Sequence, residues 1–222
     1  MKNLYTNFYS SLKFNLLTIV ALMSTNISYS QDFGADLVSS YVWRGTQFGS
    51  GAHIQPYMDL GSGNLTGGVW GSFATSALGG GNELDLWVSY DFGPLALTLT
   101  NYTFPGEGGT YLEGEGLFNG DYTEVAASTS LGGVDLSAGY FTELEALYVE
   151  LGFSTGAIDI AVGYADDMAT AWYAGGGSGL VNMSFSGSKD ISITESYSLP
   201  VFGSFIINPE AETAFLVFGI SF

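Results

Sequence analysis

The reactive inventory of this 222-residue chain is short: one histidine, His53, four bases, Lys2, Lys13, Arg44 and Lys189, 22 acids, and no cysteine. Without cysteine there are no disulfides, thiolate metal sites or cysteine nucleophiles. A serine nucleophile would need His53 as its base, within hydrogen-bond reach. A metal centre would have to draw on carboxylates. Glu143 with Glu145, Asp166 with Asp167, and the trio Glu107, Glu113 and Glu115 are oxygen-rich groupings of a kind that holds Ca²⁺. They lack the regular spacing of a known calcium loop, and solvated loop acids are the simpler account. The glycines of Gly106 to Gly116 look like a phosphate loop, but the stretch has no lysine and precedes no helix. No catalytic residue, cofactor or metal ligand is assigned from the sequence.

Charge narrows the partners. All 22 acids follow residue 30, where only Arg44 and Lys189 oppose them, a formal charge of −20. Nucleic acid is excluded as a natural partner, because neutralising phosphates takes clustered Lys and Arg. Disorder is excluded as well, since mean hydropathy is +0.26 and 15% of residues are aromatic. Lys2 and Lys13 flank an apolar run from Phe14 to Met23, then polar Ser24, Thr25 and Asn26, with small Ser28 and Ser30 positioned for cleavage after Ser30. Residues 1–30 therefore read as an export signal, and 31–222, starting at Gln31, as one domain. No cysteine follows the cut, so the chain is not expected to be a lipoprotein. An uncleaved anchor helix is the alternative, but the apolar run falls well short of the roughly 20 residues a span needs. The uncharged stretch Met168 to Ser188 is broken by five glycines and is no membrane helix either.

What must position the polar groups is a chain of period two. Leu84, Leu86, Val88 and Tyr90 alternate with Glu83, Asp85, Trp87, Ser89 and Asp91, and similar alternation runs through Leu95 to Thr100, Val134 to Tyr140, Leu147 to Phe153 and Ile158 to Tyr164. No segment shows convincing helical spacing. Short turns at Gly61-Ser62-Gly63-Asn64, Phe92-Gly93-Pro94, Leu131-Gly132-Gly133 and Ser154-Thr155-Gly156 alternate with longer acidic connections, the longest from Pro105 to Asp121. The pattern predicts strands over 33–44, 51–60, 64–74, 82–92, 95–104, 120–131, 133–142, 145–153, 157–165, 180–193, 196–208 and 212–222. These are twelve strands of an all-β, antiparallel, up-and-down transmembrane barrel. Fourteen result if 168–174 is a strand and Gly187 to Asp190 a turn. A soluble β-sandwich also alternates, but it would display a charged surface with edge lysines, which this chain lacks.

In a closed barrel the aliphatic parity meets lipid and the acids line the lumen. Asp36, Asp59, Glu83, Asp85, Asp91, Glu124, Asp135, Glu150 and Asp159 fall on the lumen parity, and Arg44, placed there opposite Trp43, is their only cation. Arg44 is either a structural ion pair to a neighbouring acid or a guanidinium at a pore constriction. His53 shares the lumen face with Gln55 and Tyr57, away from the lipid edge a lipase would use. Inward Tyr57, Trp70, Trp87, Tyr102, Tyr122 and Tyr148 could narrow or plug the bore. Tyr41, Trp43, Tyr90, Phe92, Tyr140, Phe141 and Tyr164 fit aromatic girdles.

Ser40-Tyr41-Val42-Trp43-Arg44-Gly45, Gln55-Pro56-Tyr57, Gly68-Val69-Trp70-Gly71-Ser72 and Tyr148-Val149-Glu150-Leu151-Gly152 resemble the TorF-type porins, the Gcw_chp family, over most of the exported chain. Asn208-Pro209 with Phe218-Gly219-Ile220-Ser221-Phe222 is similar to the ending of members from Bacteroidetes-type bacteria. The resemblance implies a small outer-membrane barrel with a transport role and brings no catalytic residues and no substrate. The apolar last strand ending in Phe222 is similar to the motif that such proteins offer to the outer-membrane assembly machinery. The expectation is a bacterial outer-membrane porin, in contact with membrane lipids, for passive passage of small cationic or neutral solutes through an acidic lumen. An outer-membrane lipid hydrolase and a non-conducting structural or binding barrel are the alternatives.

Overall fold

A computed structural model describes residues 30–76, 80–105, 122–173 and 177–222. The export signal and most of the 105–121 connection, with Glu107, Glu113 and Glu115, lie outside the described residues. The strands are β1 (Ser30–Val38), β2 (Tyr41–Trp43), β3 (Thr46–Gly49), β4 (His53–Ser62), β5 (Leu65–Ala74), β6 (Glu83–Asp91) and β7 (Ala96–Thr103). There follow β8 (Tyr122–Leu131), β9 (Val134–Phe141), β10 (Ala146–Ser154), β11 (Asp159–Ala165), helix α1 (Asp167–Tyr173), β12 (Gly179–Ser192), β13 (Ser198–Asn208) and β14 (Thr213–Ser221). Twelve of these strands, all but β2 and β3, close into an antiparallel barrel in chain order, sealed where β1 pairs with β14. The all-β twelve-stranded expectation holds.

Alternation is what closes it. Register places Leu86 across from Val69 and Asn101, and Asp85 across from Trp70 and Tyr102, so one parity of each strand faces out and the other in. The outward parity is strongly apolar: Phe205, Leu216 and Phe218 are 46%, 59% and 58% exposed. An apolar exterior of this extent on a sheet with no free edge is consistent with a membrane barrel, since hydrocarbon tolerates only helices and closed sheets. Tyr90 and Phe92, near the β6–β7 turn, and Tyr140 and Tyr164, towards the opposite end, are exposed, as girdle residues would be.

Two departures from the sequence reading concern the first strand and the helix. The 33–44 run is not one strand: β1 ends at Val38, and β2 and β3 form a separate two-stranded hairpin. The hairpin's two-residue turn is Arg44-Gly45, with φ of 47° and 80°. Such a turn normally carries Asn-Gly or Asp-Gly, so an arginine there hides the signal. Of the 168–174 stretch, residues 168–173 are helical rather than a strand, and β12 runs unbroken through 187–190, which removes the fourteen-stranded alternative. The helix has Asp166 as its N-cap: the carboxylate accepts from Ala169 N at 2.8 Å and, through its other oxygen, from Leu147 N at 3.0 Å.

Candidate functional site

The buried cluster lies inside the barrel, at the end where the long connections emerge. Tyr102, Phe141, Ala146, Tyr148, Ala165, Ala169, Tyr173 and Val181 form it, with Trp43, Phe104, Tyr122, Leu144 and Trp172 packed against it. Trp172 of α1 stacks on Phe141 at 5.7 Å between centroids and meets Tyr122 edge-on at 4.4 Å. Tyr41, Trp43 and Phe141 are thus lumen residues, not the girdle residues that strand-end position predicted. Tyr41 and Trp43 turn inward with the hairpin, and Phe141 shares the inward register of Glu124.

Arg44 sits at the centre of this plug. Its guanidinium makes a two-nitrogen contact with Glu124, Nη1 to Oε1 at 2.6 Å and Nη2 to Oε2 at 3.1 Å, the only ion pair among the described residues. Nη1 also donates to the Tyr173 hydroxyl at 3.1 Å, and Tyr102 donates to Glu124 Oε2 at 2.9 Å. The cation lies 4.2 Å from the Trp43 ring centroid and 4.3 Å from that of Tyr148. Burial, opposed by the neighbouring Arg44 charge, pushes the Tyr173 hydroxyl up to about 12, so it stays neutral. The strands leave room for all this with glycine: a β-carbon at position 139 would run into the Glu124 carboxylate. Gly45 is held as tightly, because a β-carbon there would fall on the Val181 carbonyl. The Asn208 amide donates to the Gly45 and Tyr173 carbonyls at 3.2 and 3.1 Å, and Thr46 Oγ1 to the Tyr173 carbonyl at 2.9 Å.

The other side of the hairpin rests on β4, β5 and β6. Tyr41 donates to Glu83 Oε2 at 2.7 Å. His53 Nδ1 and Ser72 Oγ are 2.9 Å apart, and Gln55 donates to the same hydroxyl at 3.2 Å. Sequence reasoning missed Ser72 as the partner of His53, because only the β4–β5 register, with Ile54 opposite Phe73 and Tyr57 opposite Trp70, brings the two together. Both side chains are 0% exposed beneath the hairpin, so no lipid ester reaches them here.

The ten residues expected to line the lumen therefore divide. Glu83, Asp85 and Glu124 are 2%, 7% and 3% exposed and belong to the plug with Arg44. These three face inward, as parity predicts, but are buried there, Glu83 against Tyr41 and Glu124 against Arg44 and Tyr102. Asp91, Asp135 and Glu150 line an open cavity of about 550 Å³ at the short-turn end, with Ser128, Ser130 and Ser137. Asp135 and Asp159 line a second, adjoining one of about 340 Å³. Asp36 and Asp59 lie half-buried on β1 and β4. Glu150 ties the two halves of the lumen together, accepting from Tyr148, and from Asn182 at 2.9 Å.

Two of the calcium candidates bond to backbone amides instead. Glu143 accepts from Thr123 N at 2.7 Å and Asp166 caps α1. Among the described residues no three possible ligands gather into a metal site. No family model and no curated protein matches the chain.

Proposed function

We propose that the protein is an outer-membrane barrel for passive passage of small cations and neutral solutes, closed in this conformation by the β2–β3 hairpin. The carrying observation is the open mouth at the short-turn end, where Asp91, Asp135, Glu150 and Asp159 line water-accessible cavities whose walls hold no base. A lining of one sign in low-dielectric walls concentrates counter-ions. The start of β1, the end of β14 and the short turns share that end, which in outer-membrane barrels faces the periplasm. The Tyr-Val-Trp-Arg-Gly segment and its companions, which resemble the TorF-type porins, agree with a transport role. Insertion through the assembly machinery would use β14 and Phe222, and membrane lipids would cover the outward parity. No catalytic role is assigned to His53 or Ser72.

The buried plug favours a second reading, a non-conducting barrel with a structural or binding role. Single-channel recording of the refolded full chain in a planar bilayer separates them. Discrete cation-carrying openings are expected, and their absence both here and in a variant with Ser40–Gly51 replaced by a short Gly-Ser link would leave the non-conducting barrel.

A further inference from the structure

We infer that the β2–β3 hairpin is a hinged gate, latched by Arg44 on Glu124 and Tyr41 on Glu83, whose displacement connects the acidic mouth to the long-loop end. This rests on the passage function proposed above. The barrel is complete without the hairpin: β1 pairs directly with β4 over nine residues, from Ser30 with Gly61 to Val38 with His53. Strands β2 and β3 pair only with each other. Removing them from the lumen therefore breaks no ladder bond of the barrel. What fastens them is side-chain chemistry: the two carboxylate latches, the Tyr173 and Asn208 contacts, and ring packing of Tyr41 on Trp70, Trp43 on Tyr173 and Phe48 on Trp172. Small residues, Ser39 and Ser40 on one side and Ser50 and Gly51 on the other, form the links to the barrel.

Two further features suit a gate rather than a permanent filling. Arg44 takes its left-handed backbone, φ 47°, from the hairpin's own two-residue turn, so the hairpin can leave its seat as one unit with that turn intact. And the latch is one cation facing Glu124 directly, with Glu83 and Asp85 also buried nearby, so loss of a single charge unbalances it.

Ser72 lies beneath the hairpin at 0% exposure, and the chain has no cysteine of its own, so Ser72→Cys reports whether the hairpin has moved. The refolded full chain carrying Ser72→Cys is exposed to a charged methanethiosulfonate reagent, alone and with Arg44→Met or Glu124→Gln, and the same proteins are recorded in planar bilayers. Far-UV circular dichroism and heat-modifiable gel mobility establish that each barrel is formed; Arg44→Lys and Tyr41→Phe replace any variant that does not fold. Latch variants are expected to react on the order of tenfold faster or more, and to raise open probability with it. Labelling unchanged by every latch variant would overturn the gate while leaving the passage function to its own recording. Faster labelling with no current in any protein would overturn both.

Discussion

At position 45 two separate demands meet, and they divide experimentally. A left-handed backbone penalises any β-carbon by roughly 1–2 kcal/mol. Gly63, in the β4–β5 turn, carries that demand alone, with φ 60° and open space around it. Gly63→Ala is therefore expected to cost about that much in a urea refolding titration. Gly45→Ala adds a collision with the Val181 carbonyl, so it should lift the hairpin tip as well. The expected sign is a red shift of tryptophan fluorescence from Trp43 and Trp172 with the barrel's circular dichroism unchanged; an unshifted spectrum would mean the tip is not held as described. The sequence showed Arg44 as a lone cation among acids and left open whether it was paired. It could not show that the partner is Glu124, 80 residues away, because that depends on which strands become neighbours across the lumen.

Each strand carries one statement that can be inverted by a single substitution. Leu86 and Val149 lie on the outward parity of β6 and β10, and arginine there should cost on the order of 2–4 kcal/mol near the bilayer midplane. Glu150→Gln, one position along and inward, keeps its acceptor oxygen for Tyr148 and Asn182 and should be tolerated. Folding titrations into lipid vesicles check both, and equal tolerance on the two parities would reverse the assignment of inside and outside. Strand limits were legible because a half-buried strand alternates with a period that turn residues interrupt. The hairpin and α1 were not. Arg44-Gly45 lacks the side chain that ordinarily marks such a turn. Asp167–Tyr173, a helix of seven residues, is too short to show a helical period and is held by its Asp166 cap and by Trp172 and Tyr173 packing inside the barrel.

Taken whole, the molecule has an acidic cavity at its short-turn end and a filled lumen at the other, and the proposed passage of solutes should show both. Currents, where they occur, are expected to prefer cations, measured as reversal potentials across a KCl gradient. Asp91, Asp135 and Asp159 changed together to asparagine should reduce the preference, because they line the water-accessible cavities. Glu83→Gln should act on opening rather than on selectivity, since its carboxylate holds Tyr41 under the plug. Raising salt to about 1 M, where the Debye length is about 3 Å, should weaken the preference. An anion-selective current would place the path elsewhere.

Composition and alternation by themselves determined the class: a base-poor, glycine-rich chain of period two, whose aliphatic parity outlines a barrel exterior and whose acids fall inside. Those properties are local, because side-chain parity follows from the pleat and needs no knowledge of partners. Tertiary structure decided which acids meet water and which are buried. That choice depends on a hairpin leaving the wall at Val38 and on a helix entering between β11 and β12, which together fill one end of the lumen. Apart from β12, where the pairing with β11 shifts and Val181 and Asn182 are both buried, the barrel strands keep their alternation, so the strand pattern carries little trace of them.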